Sequence, residues 1–113
     1  MPKYLLIYRD SADPQQPQPS PEEMQGFLQL WDGWFKQFEG KIVDGGDGLL
    51  PTGRVLKPGG VVADGPYVEA KEMIGGYSVV SANSYDEAIE IAKHCPIAVI
   101  GGAIEIRQLA EYN

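Results

Sequence analysis

The apolar positions of the chain fall into short runs and helical stripes separated by glycine- and proline-rich breaks. Tyr4-Leu5-Leu6-Ile7-Tyr8 is a near-continuous run of strand formers, the pattern of a central strand covered on both faces or nearly so. Residues 11–19 carry three prolines and three glutamines without an apolar period and read as a surface loop. Ser20-Pro21-Glu22-Glu23 then opens a helix: Ser20 can cap, Pro21 fits the first helical position, and Glu23 completes a capping box. Met24, Phe27, Leu28, Trp31, Phe35 and Phe38 recur at helical spacing to about Glu39, and Gly40 ends the segment. Leu30 and Trp34 fall outside this stripe. The helix is thus more apolar than one sheet-facing side requires, which points to a partner subunit or a ligand pocket.

Lys41-Ile42-Val43-Asp44 begins a second strand, broken by Gly45-Gly46-Asp47-Gly48. Glycines inside a strand pattern mark a bulge or a close backbone approach. Residues 54–63, turning at Lys57-Pro58-Gly59-Gly60, read as a hairpin. Tyr77-Ser78-Val79-Val80-Ser81-Ala82 is a strand of β-branched and aromatic residues. Ser84-Tyr85-Asp86-Glu87 is a second capping box, opening a helix that Pro96 stops. Residues 103–109 alternate apolar and polar as a last strand with one wet face.

Without the hairpin this order is β-α-β-β-α-β, so the expected fold is α+β and ferredoxin-like, an antiparallel sheet with both helices on one face. Two helices cover only one face of the sheet. Tyr4, Ile7, Val79 and Ile104 are then too many apolar sheet residues to leave wet, and a symmetric dimer packing two sheets face to face is the expected solution.

The 113 residues make one expected domain, 1–113, because two would each lack a core. With 9 Lys and Arg against 16 Asp and Glu, the net charge is −7. That balance argues against a nucleic-acid or anionic-membrane partner, since both need a basic patch. No apolar run approaches the roughly 20 residues of a membrane span. The lone Cys95 forbids an internal disulfide and fits a reducing cytoplasm, the expected location. The lone His94 excludes multi-histidine metal sites, and Asp44, Asp47 and Asp64 lack the spacing of a calcium loop. No metal and no cofactor are expected.

Asp64-Gly65-Pro66-Tyr67-Val68-Glu69-Ala70-Lys71-Glu72, followed by Gly75-Gly76-Tyr77, resembles the YCII-related family, in particular the branch named for a DGPF motif, with Tyr67 where that branch has phenylalanine. Tyr4-Leu5-Leu6-Ile7, the tryptophan-bearing first helix, Gly48-Leu49, the helix ending at Pro96 and Gly102 before Ile104-Glu105-Ile106-Arg107 extend the likeness over almost the whole chain. The resemblance implies a ferredoxin-like fold forming a dimeric α+β barrel. It implies little about activity, since fold relatives include small monooxygenases, dismutase-like enzymes and binding modules. Some relatives are encoded beside, or fused to, extracytoplasmic-function sigma factors. The histidine-aspartate pair suggested for the other branch has no counterpart here, because no histidine stands in the first helix or second strand.

The candidate chemistry clusters around this motif. Asp64 either locks its turn through backbone N–H bonds or stands as a base at a cleft mouth. Glu69, Lys71 and Glu72 are either a solvated charge cluster or a pocket wall in which paired charges shift each other's titration. Arg54, close to the glycine-rich stretch, is the better anion clamp; Arg107 reads as an exposed cross-strand partner. Tyr67, Tyr77 and Trp34 are candidate pocket walls, whereas Trp31 sits on the stripe and reads as core. Cys95 ends a helix, where the dipole disfavours a thiolate.

Two readings follow. In the first, the chain is a homodimer binding an unknown small organic ligand, with cofactor-independent acid/base activity carried by Asp64, Glu69 and Lys71 and binding by Arg54, Tyr67, Tyr77 and Trp34. In the second, it is a non-enzymatic regulatory or interaction module linked to sigma-factor-type transcription control.

Overall fold

The computed structural model describes residues 1–11, 20–65 and 72–112. Four strands form the main sheet: β1 (Lys3–Ser11), β2 (Ile42–Gly48), β5 (Glu72–Ser81) and β6 (Ala103–Gln108). Their order is β2-β5-β1-β6, and every neighbouring pair is antiparallel. Helix α1 (Pro21–Gln37) follows β1, and α2 (Tyr85–Lys93) follows β5. Strands β3 (Gly53–Lys57) and β4 (Val61–Gly65) pair only with each other as the hairpin inserted between β2 and β5. The architecture is α+β and ferredoxin-like, as the element order predicts.

Both capping boxes form at their N-caps. The Ser20 hydroxyl oxygen accepts from the Glu23 N–H at 3.1 Å, and Ser84 accepts from Glu87 at 3.2 Å. Each satisfies one of the donors a helix start leaves open. Pro96 ends α2 as expected, but it also opens one further turn, α3 (Pro96–Val99), where proline at the first position is tolerated. The sequence pattern missed this turn because four residues carry no helical period.

Burial along β1 alternates. Tyr4, Leu6 and Tyr8 are buried beneath the helices, while Leu5 and Ile7 are half-buried on the opposite face. The strand is therefore sided, not covered on both faces. The register carries the same parity across the sheet: Tyr4 opposes Val80, Leu6 opposes Ser78 and Ile106, and Tyr8 opposes Ile104. Tyr4 and Ile104 consequently belong to the helix side, whereas Ile7 and Val79 belong to the open side. A period of two sends residues three apart to opposite faces, and that splits the set expected on one face.

One core joins the layers. Tyr4, Leu6, Tyr8 and Val80 from the sheet pack with Trp34 of α1, Ala88, Ile91 and Ala92 of α2, and Cys95. The Trp34 indole Nε1–H donates to the Ile91 carbonyl at 2.9 Å, tying α1 to α2. Trp34 is 2% exposed and the only buried residue of α1. The other aromatic residues of the stripe stay partly open, so α1 is anchored by its C-terminal half.

Strand β2 is irregular where the glycines predict a bulge. Its register against β5 shifts between Ile42 and Asp44 and again between Asp44 and Asp47. Gly46 sits at φ 71°, and a Cβ there would lie 1.7 Å from the Tyr77 carbonyl oxygen. No L side chain fits that position. Gly33 is the contrasting case: it lies inside α1, and a Cβ would meet nothing within 4 Å. Gly33→Ala is expected to stabilise the fold by about 0.5–1 kcal/mol by removing backbone freedom from the unfolded chain. Gly46→Ala is expected to cost about 2 kcal/mol or more. Urea denaturation followed by circular dichroism checks both, and similar effects for the two would contradict the bulge.

Candidate functional site

A cavity of about 660 Å³ lies between α1 and the β2 end of the sheet. One wall is the stripe Phe27, Leu28, Trp31, Asp32 and Phe35 of α1. These positions fall one turn apart, so they share a side of the helix. The facing wall is nearly free of side chains: Gly45, Gly46 and Gly48 of β2 meet Gly75 and Gly76 of β5. Tyr8, Tyr77 and Asp47 complete that wall, and Ile97 of α3 with Ile100 just after it closes the end. The stripe that reads as core from its spacing is thus partly the lining of a cavity. Leu30 and Trp34, the apolar residues outside that stripe, do not line the cavity.

The two walls define each other's spacing. A Cβ on Gly45 would approach the Phe35 ring to 3.1 Å, and one on Gly76 would approach the Asp47 carbonyl oxygen at 3.0 Å and the Tyr8 ring at 3.3 Å. Side chains here would fill the space or push β2 off β5. The Asp47 carboxylate accepts from the Gly48 N–H at 2.8 Å, and Asp44 accepts from the Gly46 N–H at 2.8 Å. Both bonds hold the bulged backbone in local turns.

Two of the rings around Trp31 stand steeply to it and a third lies tilted. Trp31 is central, with its centroid 6.0 Å from Phe27 at 88°, 5.6 Å from Tyr8 at 62° and 5.9 Å from Phe35 at 36°. Edge-to-face contacts of this kind favour a fixed arrangement of rings.

Beneath the cavity lies a buried polar chain. The Tyr8 hydroxyl donates to Ser78 Oγ at 2.6 Å, and the Ser78 hydroxyl donates to the Gly45 carbonyl at 2.7 Å. The chain satisfies a carbonyl that the bulge removes from regular pairing. Burial pushes the Tyr8 phenol far above its ordinary range, against the lowering effect of its bond to Ser78. Burial likewise pushes up the Cys95 thiol, which sits beside the Tyr8 hydroxyl. Both groups stay protonated at neutral pH, and neither is poised as a base or nucleophile.

The residues singled out from the sequence are dispersed. Tyr77 borders the cavity, but it opposes Ile7 in the register, so its ring lies on the other face of the sheet and its backbone, whose carbonyl meets Gly46, forms the border. Trp34, expected as a pocket wall, is core, while Trp31, expected as core, packs against that core and also lines the cavity. Trp34 is drawn inward by its bond to the Ile91 carbonyl, and Trp31 meets the sheet at Tyr8 beside the cavity. Arg54 and Asp64 oppose each other across the hairpin, with Arg54 Nε 3.7 Å from Asp64 Oδ1. The Asp64 side chain is 98% exposed, and the turn that follows Gly65 lies outside the described residues. Neither Arg54 nor Asp64 lines the cavity. Tyr67, Glu69 and Lys71 lie outside the described residues, as does most of the 11–19 loop. The sequence signal for the observed floor was present in the paired glycine clusters, and its meaning as a floor was missed. Asp32 gave no signal beyond being a polar residue next to Trp31.

The described residues contain no cluster of three or more His, Cys, Asp or Glu able to hold a metal ion. They also contain no helix long and apolar enough to cross a membrane.

Fold and site together define a ferredoxin-like α+β domain with a glycine-floored cavity under its first helix. Residues 39–113 match the YCII-related domain, and the chain belongs to that family. Among solved structures, the chain is similar to 5-chloro-2-hydroxyhydroquinone dehydrochlorinase (TftG) from Burkholderia phenoliruptrix AC1100, determined in complex with 2,5-dihydroxybenzoquinone. The identity is 19%, the TM-score is 0.47, and the match covers 94% of this chain and 92% of that one. No curated protein matches the chain.

Tyr8 gives a pH prediction. Its phenol keeps its proton when folded at pH values where the unfolded chain has lost it. Stability from this group is therefore full below the ordinary tyrosine pKa of about 10 and falls as pH rises above it. Tyr8→Phe is expected to cost about 1 kcal/mol at neutral pH from the lost bond to Ser78 and to make the alkaline fall shallower. A smaller fall of the same sign remains from Cys95. Urea midpoints at neutral and alkaline pH test this; an unchanged alkaline slope would contradict it.

Proposed function

We propose that the chain is a small-molecule-binding protein whose ligand sits between the aromatic wall of α1 and the glycine floor of β2 and β5, and that it works as a homodimer. The observation that carries the first part is the cavity. Its volume of about 660 Å³ lies within the range of roughly 300–1,000 Å³ usual for ligand sites, and it has the usual make-up of apolar walls with a few polar groups. Fixed rings on one side and bare backbone on the other accept a flat body.

In its catalytic form this reading is proton transfer without a cofactor. Within the cavity that step falls to Asp32, because Tyr8 is held protonated and Asp64 lies out on the hairpin. The binding form needs only the walls.

The observation supporting the homodimer is the open sheet face. Leu5, Ile7, Tyr77 and Val79 share that face by register, with no helix over it among the described residues. Glu105 lies beside them, holding Arg9 at 2.7 Å and Arg107 at 3.7 Å. A face of four large apolar residues edged by ion pairs suits self-pairing about a two-fold axis.

Two measurements test these parts. Binding of 4-fluorobenzyl alcohol, a neutral aromatic probe, is followed by fluorine NMR. Trp31→Ala is expected to weaken it about tenfold, the effect of losing a buried aromatic contact, while Leu30→Ala, on an exposed part of α1 outside the cavity, leaves it unchanged. Equal effects would place the probe elsewhere. Light scattering on a sizing column is expected to give twice the 12.3 kDa chain mass, and Val79→Lys to give the monomer. A wild-type monomer would overturn the dimer.

A further inference from the structure

We propose that the cavity selects an organic cation, an aromatic or otherwise flat body carrying an ammonium or similar positive group. The inference rests on the cavity being a ligand site, as proposed above. It reverses the charge expected from the sequence, where Arg54 pointed to an anion.

The charge of the lining carries the argument. Asp32 and Asp47 are the charged residues among the described lining, and that lining holds no Lys, Arg or His. Arg54, the expected anion clamp, is paired with Asp64 on the hairpin instead. No ion pair among the described residues engages Asp32 or Asp47. Asp47 opposes Tyr77 in the register, so its carboxylate belongs to the other face of the sheet and holds the Gly48 N–H there, and Asp32 is the carboxylate on the cavity side. An anion entering this space would meet the Asp32 carboxylate at the rim, with no Lys, Arg or His of the described lining to offset it. A cation would gain from it.

The rings add a second, independent preference. Phe27, Trp31 and Tyr8 meet at steep angles, with Trp31 in the middle at 5.6–6.0 Å from its neighbours. Rings standing at steep angles around one volume form the walls of a cage, and the face of an aromatic ring attracts a cation within about 6 Å. Tryptophan is the strongest such ring. The glycine floor opposite lets the flat part of the ligand lie against backbone. Chain charge acts in the same direction, since the net −7 raises the local concentration of cations over anions.

The test compares three fluorinated probes of one shape: 4-fluorophenethylamine, an ammonium at neutral pH, 4-fluorobenzyl alcohol, neutral, and 4-fluorophenylacetate, an anion. Fluorine NMR titration of the wild-type protein is expected to rank them in that order, with the ammonium about tenfold tighter than the alcohol, as one desolvated cation–π contact with carboxylate support provides. High salt is expected to weaken the ammonium severalfold and leave the alcohol unchanged. Asp32→Asn is expected to remove most of the ammonium's advantage while the alcohol binds as before. Asp32 is exposed on α1, so this variant keeps the fold. An alcohol or acetate that binds as tightly as the ammonium would overturn the charge selection and leave the ligand site standing. Absence of binding by all three would overturn the ligand site and the selection with it.

Discussion

The close approach of β2 to β5 at Gly46 is the constraint on which the site depends. The Tyr77 carbonyl oxygen occupies the place where any side chain of residue 46 would begin. Only glycine at positive φ lets the two backbones come that near. The same approach shifts the register of β2, strips its end of side chains and leaves the Gly45 carbonyl turned away from regular pairing. The buried Ser78 hydroxyl meets that carbonyl, and Tyr8 in turn meets Ser78. A strand that elsewhere would contribute core side chains instead contributes a bare floor.

Helix α1 supplies the other half. A helix laid flat on a sheet buries its whole stripe, and the sequence stripe from Met24 to Phe38 reads that way. Here Trp34 alone is fully buried, fixed by its bond to the Ile91 carbonyl and by packing against α2. The Phe27–Phe35 part of the stripe faces space that the glycines do not fill. The cavity is therefore the joint product of missing side chains on the floor and surplus aromatic ones on the wall. Neither element produces it alone.

That origin explains what could and could not be read from the sequence. Capping boxes, strand runs and turn residues are local signals, and the ferredoxin-like order with its hairpin follows from them. The bulge was legible too, because three glycines in four residues have few other uses in a strand. The roles of Trp31 and Trp34 were not, since they depend on how α1 is rotated on the sheet, which the bond to Ile91 sets from 57 residues away. Tyr4 and Ile104 were assigned to the wrong face of the sheet because apolar character was counted without strand parity. Asp32 lacked any motif, and it gains meaning only from the aromatic rings and glycines placed around it. The family likeness identified the fold and drew attention to the 64–72 run, of which only Asp64, Gly65 and the backbone of Glu72 fall among the described residues.

The central claim is that an open, ring-walled space lies between α1 and the glycines of β2 and β5. A crystal structure of the protein grown with phenethylamine tests it most directly. The account predicts the aromatic ring of the additive between Trp31 and the Gly48, Gly75 and Gly76 backbone, with its ammonium nearest Asp32. Trp31 and Phe27 packed down onto those glycines, filling the space, would contradict it.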